Sequence, residues 1–91
     1  MIYWVYIVMC ADGTLYTGVA TDVARRVAEH NGEKTKGARY TSARRPVSLK
    51  YNAAFANRSA ACKEEYRIKR LTRTGKDQLI AAAREQEDVA S

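Results

Sequence analysis

The sequence is organised around Val5-Tyr6-Ile7 and, after a turn, Leu15-Tyr16-Thr17-Gly18. These stretches lie in two aromatic-rich apolar runs, residues 2–10 and 14–19, which flank Ala11-Asp12-Gly13. An Asp-Gly pair favours the positive φ that tight hairpin turns need. The pattern therefore predicts two antiparallel strands joined as a hairpin.

The first strand is apolar on both faces, because Ile, Trp, Tyr and Val alternate there with Tyr, Val, Ile and Met. A strand of this kind is covered on both sides, so we expect it at the centre of a sheet. Tyr6 is then either a plain core aromatic or a functional side chain. Gly18 is typical either of a strand bulge or of a place where another group approaches the backbone.

The length and the cysteines restrict the class of protein. A chain of 91 residues forms one domain with a small core. Cys10 and Cys62 make no disulfide framework or zinc motif, which favours a reducing, cytoplasmic compartment. The N-terminal apolar run has no basic leader and falls short of the ~20 residues of a membrane span, so we expect no membrane attachment. We predict one domain over residues 1–83 and a flexible C-terminal tail over residues 84–91.

The charge is strongly basic. Sixteen Lys and Arg residues against ten Asp and Glu give a formal net charge of +6. The basic residues are concentrated from Arg25 to Arg45 and from Arg58 to Lys76. This distribution favours a polyanionic partner such as nucleic acid, although charge also keeps small domains soluble.

A short helix is predicted over Val23–His30, capped at residue 21 or 22 and ended by Asn-Gly. Asp22, Arg26 and His30 follow at intervals of four, so a cation and an imidazole share one face. The alternative is structural. In it, Arg26 forms an ordinary ion pair with Asp22, and His30 caps the end of the helix.

The basic segment Glu33–Arg45 is predicted to be a loop that either closes over a ligand or stays mobile. A third strand is predicted over Val47–Phe55. Its alternating pattern places these residues on one core face: Val47, Leu49, Tyr51, Ala53 and Phe55.

A second helix is predicted over Ser59–Leu71, with Asn57 as its cap. Glu64 and Glu65 lie in or beside its apolar arc, where a carboxylate requires a basic side chain or a metal ion as partner. Periodicity does not choose between these two glutamates. After a break over residues 72–75, a third helix is predicted over Lys76–Ala83.

Taken together, these stretches resemble the GIY-YIG nuclease domain over almost the whole chain. The resemblance rests on the two tyrosine-containing stretches of the hairpin, the helix that carries Arg26 and His30, and Glu65 on the following helix. It is strongest to the small stand-alone bacterial members. Their marks here are Cys10-Ala11-Asp12-Gly13, Gly37-Ala38-Arg39-Tyr40-Thr41, Pro46-Val47, Glu65-Tyr66 with Ile68-Lys69, and Leu71-Thr72-Arg73. The implied fold is α+β, a three-stranded antiparallel sheet flanked by helices.

In this family two tyrosines, an arginine, often a histidine, and a glutamate line one catalytic surface. The resemblance assigns these roles to Tyr6, Tyr16, Arg26, His30 and Glu65. Glu65 would bind Mg²⁺ (or Mn²⁺) and Arg26 would hold the phosphate. We assign Tyr16 as the base or water-orienting group and Tyr6 as its hydrogen-bonding partner. His30 would either relay a proton or orient a tyrosine.

The resemblance implies a metal-dependent DNA endonuclease in DNA repair or processing, with DNA favoured over RNA. A rival hypothesis is a catalytically weak nucleic-acid-binding module that acts with a protein partner supplying substrate affinity. A third is a plain interaction domain. Contacts with nucleic acid are predicted for Arg25, Lys36, Arg39, Tyr40, Arg44 and Lys69.

Overall fold

The computed structural model describes the backbone of residues 1–32 and 44–90 and the side chains as far as residue 85. These ranges contain β1 (Tyr3–Met9), β2 (Leu15–Ala20), α1 (Val23–His30), β3 (Ser48–Phe55), α2 (Arg58–Lys69) and α3 (Arg73–Ala90). The strands form one antiparallel sheet in the order β2-β1-β3. The predicted α+β fold is confirmed, and so is the central position of β1.

Both faces of β1 are buried, as its apolar composition requires. Each residue from Val5 to Val8 is at most 1% exposed. Val5 and Ile7 pack against Ala61 and Ile68 of α2. On the other face, Tyr6 and Val8 join a cluster beneath the two valines of α1. Fully burying a side chain of this size contributes about 1.5–3 kcal/mol, so the two clusters hold α1 and α2 onto opposite faces of the sheet.

The β1–β2 turn is held from several directions. Gly13 has a φ of +85°, and Asp12 Oδ1 accepts hydrogen bonds from the Thr14 amide at 3.1 Å and hydroxyl at 2.6 Å. Arg44 pairs with Asp12 Oδ2 at 3.1 Å, and Arg73 donates to the Gly13 carbonyl at 2.6 Å. The turn is therefore joined both to the segment before β3 and to the start of α3.

Strand β3 departs from the predicted alternation at a β-bulge. Ile7 pairs with Tyr51, but its neighbour Val8 pairs with Leu49, so Lys50 is the extra residue. An extra residue reverses the faces on either side of it. Leu49 thereby leaves the face that Tyr51 occupies and is 40% exposed, contrary to the prediction that placed both on one core face.

Asn31 connects α1 to the beginning of β3. Its Nδ2 donates to the Val47 carbonyl at 3.1 Å, and its Oδ1 accepts from the Val47 amide at 2.6 Å. This pair of bonds imitates the pairing of a neighbouring strand. It fixes the end of α1, where His30 lies, relative to the sheet.

The helices begin at the expected caps, with one exception. Asp22 caps α1 and Asn57 caps α2. Helix α3 starts earlier than predicted because Thr72 accepts a hydrogen bond from the Gly75 amide at 3.1 Å, which turns the expected break into a helix start. It also continues to Ala90, so residues 84–90 are helical where we expected a tail. Ala, Arg, Glu and Gln are good helix formers.

None of the helices in residues 1–32 and 44–90 combines the length and the apolar character needed to cross a membrane.

Candidate active site

The site begins where Tyr6 of β1 crosses β2. Tyr6 pairs with Gly18, and directly opposed residues point to the same face of a sheet. A Cβ at Gly18 would lie 2.6 Å from the Tyr6 hydroxyl and 2.8 Å from its Cζ, so any side chain here would require the phenol to move. Of the two interpretations of Gly18, close approach is the one that the structure supports. Without a side chain at this position, the Tyr6 phenol lies across β2.

His30, at the end of α1, orients this phenol. The ring is fully buried, and its Nε2 lies 2.8 Å from the Tyr6 hydroxyl. Burial, followed by the charge of Arg26, lowers the pKa of His30, so the imidazole is neutral at pH 7. The expectation that His30 simply caps the helix end is wrong, because the side chain is directed into the core.

Burial also keeps Tyr6 protonated. It raises the pKa of Tyr6 to about 12, against the opposing effect of the hydrogen bond from Arg26. The hydroxyl can therefore accept from Arg26 and donate to the neutral His30 imidazole. Tyr6 is part of the core, as one interpretation held, and also part of the site.

Arg26 is held by Glu29, which the sequence reasoning missed. Arg26 Nη1 lies 3.1 Å from Glu29 Oε1, and Arg25 Nε lies 3.4 Å from Oε2 of the same carboxylate. Glu29 is 8% exposed and lies between two cations. The proposed Asp22–Arg26 ion pair is therefore wrong, because Asp22 Oδ1 accepts from the Arg25 amide as the helix cap. The i,i+3 spacing of Arg26 and Glu29 in the sequence could have indicated this ion pair.

Tyr16 stands beside this arrangement on the same face of the sheet. Its ring centroid lies 6.5 Å from that of Tyr6 and 5.1 Å from that of His30, with an edge-on approach to the imidazole. Tyr16 is half-buried, whereas Tyr6 is almost completely enclosed. Tyr16 is thus the more accessible of the two phenols.

The structure distinguishes the two glutamates of α2. Glu65 lines the same pocket as Tyr6, Tyr16 and Arg26. Its Oε2 lies 3.1 Å from Lys69 Nζ. Glu64 points elsewhere, since it forms a two-bond ion pair with Arg67 at 2.6 and 2.8 Å, and this hydrogen bonding lowers the pKa of Glu64. The glutamate indicated by the resemblance is the one at the pocket.

The pocket has a volume of about 380 Å³ and is built around β2, the outer strand of the sheet. Because it extends around this edge, side chains from both faces reach it. Tyr6 and Tyr16 come from the α1 face, and Glu65 comes from α2 on the opposite face. His30 contacts the pocket through Tyr6 and does not line it. Tyr3, Arg58 and Cys62 also line the pocket and were not predicted.

Two of these unpredicted residues could have been found from the helix spacing. Arg58 and Cys62 precede Glu65 by seven and three positions, and this spacing places all three on one side of α2.

The pocket is suited to a hard cation that the protein shares with a substrate. Within residues 1–32 and 44–85, His, Cys, Asp and Glu form no group of three that could hold a metal. Glu65 is the acidic residue among the described pocket residues. Mg²⁺ commonly takes one or two carboxylates and substrate phosphates, and it retains several waters. The residues fit this mode of binding, in which Glu65 would be the protein ligand.

The residues predicted to contact nucleic acid lie in different places. Arg25 is on the outer side of α1, and its side chain is 67% exposed. Lys69 pairs with Glu65 next to the pocket, whereas Arg44 supports the hairpin turn through Asp12. The remaining candidates are Lys36, Arg39 and Tyr40, which lie outside the described residues.

The fold and the residues around the pocket are consistent with the family that the sequence matches. A family model described as the GIY-YIG catalytic domain matches residues 2–78. The chain therefore belongs to the GIY-YIG family. Such a domain implies nuclease-type activity, and GIY-YIG nucleases act on nucleic acid.

Within this family the chain is similar to small proteins named UPF0213. It is 56% identical over 81 residues to UPF0213 protein DP2720 of Desulfotalea psychrophila, covering 89% of this chain and 73% of the relative. It is 51% identical over 76 residues to UPF0213 protein VNG_2274C of Halobacterium salinarum, covering 84% of this chain and 96% of that protein.

Solved structures show the same fold. The NMR structure of UPF0213 protein BH0048 from Bacillus halodurans matches with a TM-score of 0.59 and 43% identity, over 90% of this chain and 85% of that one. The NMR structure of EF2693 from E. faecalis matches with a TM-score of 0.63 and 37% identity, over 92% and 88% of the two chains.

Proposed function

We propose that this protein is a metal-dependent DNA endonuclease that acts in DNA repair or processing. The observation that carries the proposal is the meeting of Tyr6, Tyr16, Arg26 and Glu65 around one pocket. DNA is favoured over RNA on the family resemblance. A cytoplasmic location is part of the proposal, because Cys10 and Cys62 are free thiols of the kind that a reducing compartment maintains.

Hydrolysis of a phosphodiester requires a positioned nucleophile and a counter-charge for the phosphate in the transition state. Mg²⁺ or Mn²⁺ bound at Glu65 would polarise the phosphate and lower the pKa of a bound water. Arg26 contributes a planar fork of N–H donors suited to a non-bridging phosphate oxygen. Glu29 fixes the guanidinium from below, so little conformational freedom is lost when the phosphate arrives.

The two tyrosines have different tasks in this proposal. Tyr16 is the base or water-orienting group, because it is the more accessible of the two phenols. Tyr6 keeps its proton at neutral pH, since burial raises its pKa to about 12. We therefore give Tyr6 a positioning role, in which His30 and Arg26 fix its hydroxyl at the pocket.

The test is a cleavage assay that compares Glu65→Ala with Glu64→Ala on labelled single-stranded, duplex, flapped and branched DNA, with Mg²⁺ or Mn²⁺ added. Glu65→Ala should lower the cleavage rate by about 10²-fold or more, because it removes the carboxylate at the pocket. Arg26→Ala should do the same. Glu64→Ala removes the same charge from the adjacent position, and it should cut within a few-fold of the wild type because the exposed Glu64–Arg67 pair contributes at most about 1 kcal/mol.

A folded Glu65→Ala variant that cuts at the wild-type rate would contradict the proposal. Circular dichroism and thermal melting of each variant establish that it is folded before its rate is interpreted.

The second candidate is a nucleic-acid-binding module that does not cut and that acts with a protein partner. It is favoured by the pairing of Lys69 with Glu65, because a carboxylate already paired with an ammonium group binds a metal less readily. Binding to the DNA panel without metal-dependent turnover would support this candidate.

A further inference from the structure

The pocket continues into a second depression along the outer edge of β2. This groove has a volume of about 280 Å³ and shares Val19, Ala20, Thr21 and Arg26 with the pocket. Its remaining lining residues are Asp22, Arg25 and Glu29. The two depressions join at Arg26, and together they form what we call the edge channel. Arg25 lies on one side of the junction, and the α2 residues of the pocket lie on the other.

Arg58 lies on the α2 side of the edge channel. It shares one side of α2 with Cys62 and Glu65, and all three line the pocket. Seven residues at 1.5 Å per residue separate Arg58 from Glu65 by roughly 10 Å along the helix axis. The two residues therefore lie about two helical turns apart on the α2 wall of the pocket. This separation suits a phosphate further along the same strand of nucleic acid.

The Arg58 guanidinium is available for a ligand. It is exposed, and no side chain in the described parts of the chain pairs with it. The other basic residues near the pocket are engaged differently, since Arg26 pairs with Glu29 and Lys69 pairs with Glu65. An arginine at the wall of a pocket without an internal partner has no evident structural task.

We propose that Arg58 is a positioning residue that binds a phosphate flanking the one held at Arg26 and Glu65. One strand of nucleic acid then runs through the edge channel, from Arg25 past Arg26 to Arg58. Phosphate contacts of this kind fix the register of the strand, and the guanidinium fork matches a phosphate group. The identity of the reacting phosphate rests on the proposed nuclease function, whereas the contact with Arg58 requires only that nucleic acid binds.

The contact is tested by measuring DNA binding without metal. A fluorescein-labelled DNA oligonucleotide is titrated in EDTA at several salt concentrations with wild type, Arg58→Ala, Arg58→Lys and Arg84→Ala. Arg84 is an exposed arginine that lines a separate pocket with residues of β3, so its variant controls for net charge.

Loss of one phosphate contact should reduce the slope of log K against log salt by about 0.7–0.9 and weaken binding roughly fivefold or more at low salt. Arg58→Lys should retain the slope, and Arg84→Ala should leave both quantities unchanged. The proposal is overturned if Arg58→Ala and Arg84→Ala behave alike.

Cleavage kinetics separate this proposal from the nuclease function itself. Arg58→Ala should raise KM and leave kcat within about twofold of the wild type. The reason is that the lost contact stabilises the bound substrate and the transition state equally. A wild-type protein that binds DNA through Arg58 but never cuts it would refute the nuclease and support the phosphate contact. A wild-type protein that cuts, with an unchanged KM in Arg58→Ala, would refute the contact and support the nuclease. Failure of the wild type to bind any DNA would refute both.

Discussion

Alternate residues of β1 belong to two different core clusters, one on each face of the sheet. Val5 and Ile7 pack in an apolar cluster with α2, whereas Tyr6 faces α1 and lies within hydrogen-bonding distance of the buried His30. An apolar cluster is stabilised by any side chains that pack well. On the α1 face, in contrast, each buried polar group needs a specific hydrogen-bonding or charged partner. The comparison shows how one strand of a 91-residue chain gives one face to apolar packing against α2 and uses the other to hold Tyr6 in a polar setting beside α1.

The largest effect on stability is expected on the apolar face. Ile68→Ala leaves a cavity beside Val5 and Ile7, and it should lower the free energy of unfolding by about 2–5 kcal/mol. Ile68 does not itself line the pocket, so DNA binding per folded molecule should change much less than stability. Urea denaturation measures the loss. Leu49→Ala, at a leucine that is 40% exposed, serves as the control and should lose much less. Equal losses in both variants would show that the α2 face is not the main source of stability.

A smaller loss of stability, with a larger loss of function, is expected from Gly18→Ala. The new Cβ would lie 2.6 Å from the Tyr6 hydroxyl, so the phenol must leave its place between His30 and Arg26. We expect a destabilisation of about 1–3 kcal/mol, as for overpacking elsewhere, together with impaired cleavage. Unfolding and cleavage are measured for the single variant and for Gly18→Ala combined with Tyr6→Ala.

In the double variant there is no phenol to displace, so the cost of the added methyl group should shrink. If the costs of the two substitutions simply add, the steric explanation for Gly18 fails.

The smallest effect is a pH dependence that belongs to the polar face. Burial, and then the charge of Arg26, lowers the pKa of His30 in the folded protein, so the unfolded chain binds its proton more readily. The stabilisation from neutral His30 is present above its unfolded pKa of about 6.5 and is lost as the pH falls below that value. Urea denaturation at pH 7, 6 and 5 should show a steeper fall for wild type than for His30→Gln. If the free energy of unfolding falls in parallel for both proteins, His30 is not the source of the pH dependence.

Much of the fold could be predicted because it depends on local signals. The Asp-Gly turn, the caps at Asp22 and Asn57 and the two-sided apolar strand are each determined by a few neighbouring residues. The bulge at Lys50 could not be predicted, since it depends on how β3 aligns with β1. The start of α3 was missed because Thr72 also fits a loop until its hydroxyl is seen to cap the helix.

The candidate site could be predicted only in part from spacing. Spacing leaves Arg26 with two possible carboxylates, and the choice of Glu29 follows from the use of Asp22 as the helix cap. Spacing also does not distinguish Glu64 from Glu65 as the site residue. Only the packing of α2 places Glu65 at the pocket and Glu64 beside Arg67. The contribution of Arg58 depends on the way the pocket extends around the edge of the sheet. A single sequence does not contain that information in any local pattern.

The paired hydrogen bonds of Asn31 to Val47 limit which residues position 31 can hold during evolution. Aspartate and leucine have nearly the same shape as asparagine, but aspartate cannot donate to the carbonyl and leucine can make neither bond. In a library of functional variants we expect this position to remain nearly invariant while the exposed Glu64–Arg67 pair changes freely. Selection at Asn31 would then act on the placement of His30, although Asn31 itself takes no part in the chemistry.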